Sequence, residues 1–577
     1  MVENNHVVVV ENLRYSYPET NISTLNNISF CVDDGDFVIV IGPSGSGKST
    51  LLQTLNGIIP KLKGGKIDGS VVIKGLDVSQ FDVNEISEHV GMVFQDPESQ
   101  LTSVFVKDEV AFGLENLNYD KEQIMKRFDS AMRYVGLEFE GDRYVYEMSG
   151  GQQQRLAIAS VLATDSKIIV MDDPTANLDP VGTAEVLGVI KALREEGRTV
   201  ICATHWLDEF IHLATKLLVI NEGELVAYGK PRDVLRNYGQ ILADELGIWM
   251  PQLFEVDIAC QKAMPELFDN EVVLTVEEVL DKYSDINFDS KLFKPLVCHD
   301  DLTNKKIVEL NGLGFIYPDG TRALEGLNFS VDKGCLTGIL GPNGSGKSTL
   351  ASIMVGLKKP TEGDLMLLGE PIKDMKIDEI TRQVGFVFQN PEHQFVCDTV
   401  REEIKYSLEV LDICEQDIEL VIDEMLELLK LEHLEQRHPF GLSGGEKRRL
   451  SVAVMLVSHP ELLILDEPTY GQDRSHVRNI MDLVNQQLEK GVSIIIITHD
   501  MRLIEEYVNQ VVVLRKGHHI YDGRPEDLFD SLGEDFDVTL RATPLARLIR
   551  RLILNGKDIH HDTRTVDQFI CQIKSKI

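Results

Sequence analysis

Five short sequences occur twice in this chain of 577 residues, in the same order and in a nearly fixed frame. GPSGSGKSTL at Gly42 returns as GPNGSGKSTL at Gly341, and VGMVFQDPESQ at Val90 as VGFVFQNPEHQ at Val384. MSGGQQQRL at Met148 returns as LSGGEKRRL at Leu442, IIVMDDPT at Ile168 as LLILDEPT at Leu462, and ATHW around His205 as ITHD around His499. Gln95 and Gln389, Ser149 and Ser443, Asp172 and Asp466, and His205 and His499 each lie 294 residues apart. A frame held that constant means a duplicated domain, each copy large enough for its own core.

Each copy opens with a short apolar strand that runs into the glycine-rich sequence. A helix is expected next, over 49–58 and again over 348–357, with further helical segments near 121–136 and 415–434. IIVMD and LLILD are apolar at successive positions, the pattern of parallel strands buried on both faces. SGGQQQRLAIASVLA and its counterpart read as helices. Strands alternating with helices predict an α/β core in each copy. The first domain is placed over 1–240 and the second over 306–535. Segment 241–305 contains AMPELFDNEVVLTVEEVLDKY, and 536–577 resembles it loosely. Both read as small helical appendages, the first also a connector; a plain linker and tail is the alternative.

Gly42–Ser49 and Gly341–Ser348 both satisfy GxxxxGK[ST]. Glycines let the backbone wrap a polyphosphate, so that successive N–H groups and a helix N-terminus face its oxygens. The cradle comprises Gly42, Pro43, Ser44, Gly45, Ser46, Gly47, Lys48, Ser49 and Thr50. Its counterpart comprises Gly341, Pro342, Asn343, Gly344, Ser345, Gly346, Lys347, Ser348 and Thr349. Lys48 and Lys347 are expected on the β and γ phosphates of ATP, and Ser49 and Ser348 on Mg²⁺. Asp172 and Asp466 end apolar strands, where a carboxylate holds the same ion directly or through water. Glu467, next in line, is placed to polarise an attacking water. Read alone, an acidic pair after a strand is equally a helix cap, and SGG a capping turn.

With all of these in one order, the chain resembles the ATP-binding cassette ATPases over nearly all of both halves. The resemblance implies two P-loop ATPase domains, each with a RecA-like core, a helical subdomain and a small C-terminal helical appendage. It further implies intramolecular pairing, head to tail, with each ATP held by one P-loop and the opposite signature. The signatures are Ser149, Gly150, Gly151 and Gln152, and Ser443, Gly444, Gly445 and Glu446. Tyr17 and Tyr317 match the aromatic that stacks on adenine, though each also reads as a packed strand-end tyrosine. Gln95 and Gln389 match the glutamine that senses Mg²⁺ and the water; His205 and His499 match the histidine on the γ-phosphate. Asp179 and Asp473 match the loop that links one pocket to the other.

FQDPESQL, FQNPEHQF and VKDEVAFGLEN resemble the energy-coupling-factor branch of importers, which take up vitamins, their precursors or transition-metal ions. That likeness implies a transmembrane coupling subunit docked beside the Gln95 and Gln389 loops, and a substrate-capturing membrane subunit. PTYGQD resembles fused ATPases of this branch linked to thiamine-precursor uptake. Two other readings stand beside it: the fused ATPase of a sugar importer, and a non-transport cassette protein acting on ribosomes. The first usually departs from the P-loop pattern in its second copy, which is intact here. The second calls for a basic inter-domain helix pair, whereas 241–305 is acidic.

Composition bears on partners. Lys and Arg total 57 against 93 Asp and Glu, a net charge of −36, which argues against a nucleic-acid partner. Eight cysteines without CxxC spacing read as reduced thiols of a cytosolic protein. The start of the chain shows no signal peptide, and the longest apolar runs fall well short of a membrane span. A peripheral place on the cytoplasmic face of the membrane follows, with other subunits supplying the pore. The halves are not equal, however. Asp173 stands where the resemblance places Glu, and Trp206 follows His205 where Asp500 follows His499. The pocket with Glu467 is therefore expected to hydrolyse ATP, and the pocket with Asp173 mostly to bind it.

Overall fold

The computed structural model describes residues 6–20, 22–138, 140–176, 178–265, 271–295, 305–410, 415–469, 474–531 and 540–574. The chain forms two compact units, Met1–Lys282 and Tyr283–Ile577. The core sheet of the first runs Glu224–Gly229, Lys216–Asn221, Phe37–Ile41, Thr199–Ala203, Ile168–Asp172, Val90–Val93. All neighbours are parallel except the hairpin at the first edge. The second unit repeats the order with Val384–Val387, Leu462–Asp466, Ser493–Ile497, Leu336–Leu340, Gln510–Arg515 and His518–Gly523. These are the two α/β units that the repeat predicts.

The apolar runs explain the order. Every residue of Phe37–Ile41, Ile168–Asp172, Leu462–Asp466 and Ser493–Ile497 is buried. Strands covered by helices on both faces contribute about 1.5–3 kcal/mol per large side chain removed from water. A second, four-stranded antiparallel sheet packs against each core, His6–Ser16 lying between Leu25–Asp33 and Lys66–Ile73 in the first unit. There burial alternates at Val8 and Val10, then shifts by one to Leu13 and Tyr15 across a bulge at Asn12, whose φ is 49°. No helix among the described residues is long and apolar enough to cross a membrane.

A helical subdomain stands beside each core: Val106–Asn116, Lys121–Tyr134 and Gly150–Ala163 in the first unit, Val400–Val410, Glu415–Leu429 and Gly444–Leu456 in the second. One buried carboxylate fastens the loop that leads into each subdomain. Glu109 accepts the N–H groups of Thr102 and Ser103 at 2.9 and 2.7 Å. Glu403, its equivalent, accepts those of Val396 and Cys397 at 3.0 and 2.8 Å.

Segment 241–305 does not stay together. The helix Pro231–Asp244 runs through the expected boundary at 240, and Gln252–Ala263 and Val276–Lys282 belong to the first unit. The residues after Lys282 join the second unit by packing on its C-terminal helices. Phe288 meets the Phe569 ring edge-on at 5.2 Å, the Asp289 N–H donates to Gln572 O at 2.8 Å, and Phe293 stacks on His560 at 4.1 Å. Aromatic packing of this kind depends on partners more than 250 positions away, which no local pattern reveals.

Glu403 is 1% exposed and both of its oxygens are used. Glu403→Ala should cost about 1–2 kcal/mol, because it leaves donors without an acceptor. Glu403→Gln should cost about half as much, and thermal unfolding of the two variants checks the order.

Candidate nucleotide sites

The P-loops follow the central strands Phe37–Ile41 and Leu336–Leu340 at their carboxyl ends, where an α/β sheet presents a crevice. Gly42 must be glycine on space alone, since a Cβ there would lie 2.1 Å from Ile220 O; at Gly341 it would lie 2.2 Å from Leu514 O. Gly47 and Gly346 cap the following helices, Lys48–Leu55 and Lys347–Met354, with φ of 103° in both. The Gly223 N–H donates to Ser46 O at 3.0 Å and the Gly517 N–H to Ser345 O at 3.1 Å, so each loop is stapled to the neighbouring hairpin turn.

Lys48 Nζ donates to Gly42 O and Pro43 O at 2.8 and 2.9 Å, and Lys347 Nζ to Gly341 O and Pro342 O at 2.6 and 3.0 Å. The buried hydroxyls of Ser46 and Ser345 have no protein partner. Such a loop, with a cation, orphaned hydroxyls and the amides of a helix N-terminus, fits a polyphosphate. Ser44 and Asn343 are at the exposed tips. Tyr17 and Tyr317 bond through their hydroxyls to Thr50 and Thr349 at 3.1 and 3.0 Å, which puts each ring beside a P-loop helix. Tyr317 also carries Lys358 Nζ 4.8 Å from its ring centre.

Next to each P-loop the neighbouring strand ends in the acidic pair. Asp172 pairs in register with Ala203, and Asp466 with Ile497. Burial raises the Asp172 carboxyl, although a hydrogen bond with Ser49 and the charge of Lys48 pull the other way. Burial and then Glu467 push Asp466 up to about 6. A buried carboxylate beside a serine hydroxyl is the oxygen-donor set a hard divalent cation takes, so Ser49 with Asp172 fits Mg²⁺, and Asp466 is the equivalent buried carboxylate of the second unit.

Asp173 and Glu467 share one backbone geometry, with φ of 45° and 47°, and each N–H is held on the adjacent strand, by Ala203 O at 2.9 Å and Ile497 O at 2.8 Å. Left-handed residues other than glycine store strain, which concentrates at functional sites. Their side chains differ. The Glu467 Oε1 is 2.8 Å from His499 Nδ1, and its Oε2 accepts the Thr498 hydroxyl at 3.1 Å. The Asp173 Oδ2 lies 3.6 Å from His205 Nε2, and its Oδ1 is buried with no hydrogen-bond partner. Burial, then Asp172, pushes Asp173 up to about 7. At His499 burial disfavours charge, but Glu467 more than offsets it and the imidazole is raised. The mismatch expected from one missing methylene is thus a difference in hydrogen bonding.

The remaining candidates sit on other elements. Gln95 and Gln389 are exposed on loops that follow the strands Val90–Val93 and Val384–Val387. Ser149 and Ser443 each begin a signature helix with a capping box, closed by Gln152 in one unit and Glu446 in the other. Gly151 lies against Gly182, and Gly445 against the His476 ring, at distances no side chain could share. Asp179 caps the helix Pro180–Glu195, its carboxylate accepting the Gly182 N–H at 2.8 Å. Asp473 lies outside the described residues, as does the 470–472 stretch before it.

Two features escaped sequence reasoning. Thr498 fixes a Glu467 oxygen, although it stood in the ITHD motif. Trp206, singled out only as a departure, stacks on Trp249 at 5.8 Å and 22°. Two residues on, Asp208 accepts the Gln252 N–H at 3.0 Å. The first appendage is therefore seated on the segment that follows His205.

Comparison with known proteins gives a consistent result. The ABC transporter family profile matches residues 25–176 and 324–470. A Methanosarcina mazei protein named "Putative ABC transporter ATP-binding protein" is 36% identical over 565 residues, covering 96% of this chain and 95% of that one. The Bacillus subtilis protein named "Putative HMP/thiamine import ATP-binding protein YkoD" is 34% identical over 535 residues, covering 91% and 93%. Among solved structures, CbiO1 of Clostridium perfringens, described as part of the ABC transporter complex CbiONQ, is 34% identical. It covers 44% of this chain and 96% of its own, with a TM-score of 0.38.

Trp249→Ala should loosen the first appendage at a cost of about 3 kcal/mol, the scale of a large aromatic truncation. Limited proteolysis should then cleave around 245–265 well before the cores, and an unchanged cleavage pattern would refute the anchoring.

Proposed function

The chain belongs to the ABC transporter family and is an ATPase with two cassettes, and from that premise we propose that it energises an importer of the energy-coupling-factor type. Its partners are a transmembrane coupling subunit and a substrate-capturing membrane subunit, met at the cytoplasmic face of the membrane. The cargo is a vitamin, a vitamin precursor or a metal ion. The name of the Bacillus subtilis relative supports a thiamine precursor within that class. The observation that carries the docking is a pair of exposed aromatics at equivalent positions of the two subdomains. Phe112 and Tyr406 are 54% and 49% exposed, and Tyr146 and Phe440 73% and 49%. Exposed aromatics kept at equivalent positions of both copies support this reading of the surface as one that a partner covers.

In this reading the P-loop residues bind the ATP phosphates and the two halves of one chain act as a pair. Ser49 and Asp172, and Ser348 and Asp466, with Gln95 and Gln389, hold Mg²⁺, which when bound supplies Lewis-acid polarisation of phosphate oxygens. Tyr17 and Tyr317 offer their rings to adenine. Glu467 polarises the attacking water, held at both oxygens by His499 and Thr498 so that little reorganisation remains. Asp173 is shorter, its Oδ1 is buried without a hydrogen-bond partner, and burial and then Asp172 raise its carboxyl. A displacement of about 1 Å can cost about 10²-fold in rate, nearly 3 kcal/mol of barrier.

Steady-state ATPase tests the assignment. Glu467→Gln should lower turnover by about 10²-fold or more, while Asp173→Asn should keep most of it. Equal losses would mean equivalent pockets, and a larger loss from Asp173→Asn would reverse the roles. The docking surface has its own test. Phe112→Ser with Tyr406→Ser should leave ATPase activity of the purified chain unchanged, yet reduce its recovery with membranes from cells holding its partner subunits. Recovery with ribosomes in place of membranes would overturn the importer reading.

A further inference from the structure

The second unit holds its glutamine loop with charges that the first unit lacks. Lys447 and Arg448 lie in the opening turn of the signature helix Gly444–Leu456. Arg448 donates from one terminal nitrogen to Phe388 O and from the other to Gln389 O, both at 2.7 Å. Lys447 Nζ reaches Glu392 Oε1 at 2.6 Å. These contacts bracket Gln389 on both sides. The corresponding residues in the first unit are Gln153 and Gln154. Gln154 Nε2 donates to Phe94 O at 3.4 Å, and Gln153 turns away to Val145 O.

Charge-assisted bonds of this length are roughly twice as strong as neutral ones. Burying a guanidinium is costly, and Arg448 is 3% exposed. Packing alone does not demand it, because the sister unit accepts glutamine there. What the arginine adds is a forked, planar mount on two successive carbonyls, close enough to Asp466 and Glu467 to feel their charges. The Gln389 loop is thereby fixed both to the signature helix and beside the acidic pair.

We propose that Arg448 is a positioning residue for ATP hydrolysis: it fixes the Phe388–Gln389 backbone and so sets where the Gln389 side chain meets the nucleotide. In the second unit loop and helix then move as one piece, whereas the Gln95 loop shifts more freely. The inference rests on the reading of Gln389 and Glu467 as hydrolytic residues.

ATPase kinetics of the full chain test it. Arg448→Gln, which installs the sister residue, should lower kcat about tenfold and leave KM for ATP within about twofold, since the P-loop groups are untouched. Arg448→Lys, with a charge but no fork, should fall between the two and rule out a simple folding defect. Because the arginine acts through the glutamine, Arg448→Gln added to Gln389→Ala should cost at most about twofold more than Gln389→Ala alone. An unchanged kcat for Arg448→Gln, a proportional rise in KM, or multiplicative losses in the double variant would overturn the proposal. Glu467→Gln separates the two levels. If it stays active, the hydrolytic reading falls and this inference with it. If it is inactive while Arg448→Gln matches the parent, only the positioning role falls.

Discussion

Strands buried on both faces leave a polar side chain no place except where the strand emerges. Ile168–Asp172 and Leu462–Asp466 obey this constraint, and each delivers its carboxylate at the carboxyl end of the sheet, beside the P-loop. Register does the rest. Pairing Asp172 with Ala203 and Asp466 with Ile497 sets the following residue, Asp173 or Glu467, near the histidine that lies two residues past the end of the neighbouring strand. Hydrophobic burial thus fixes the position of the chemistry, and hydrogen bonding decides its quality.

The quality differs between the halves through small changes. Both acidic residues share a left-handed backbone held by an N–H to the next strand. One methylene more lets Glu467 reach His499 and Thr498 together, while Asp173 leaves an oxygen unbonded in a buried place. The same contrast recurs at the glutamine loops, where Arg448 stands for Gln154. Duplication preserved the scaffold to the register of its strands, and divergence acted on a few polar contacts.

The scaffold was legible in the sequence because phosphate binding and buried strands both impose spacing. Gly42 and Gly341 are readable since no other residue fits beneath a carbonyl, and the repeat announces the two α/β units. Less visible were contacts set by distant chain. Phe288 packs on Phe569, so 241–305 divides between the units, contrary to a single appendage. Glu109 and Glu403 look like ordinary helix-surface acids until the loop N–H groups close on them. Trp206 was legible as a departure but not as a contact, for its partner lies 43 positions on, in a segment with no motif.

That stack has an optical side. The chain holds two tryptophans, and they are Trp206 and Trp249. All indole absorption and emission of this protein therefore originates at one spot in the first unit, adjoining His205. Tyrosines of the second unit absorb only at shorter wavelengths, so light at the red edge of the indole band picks out one of two similar halves with no label attached.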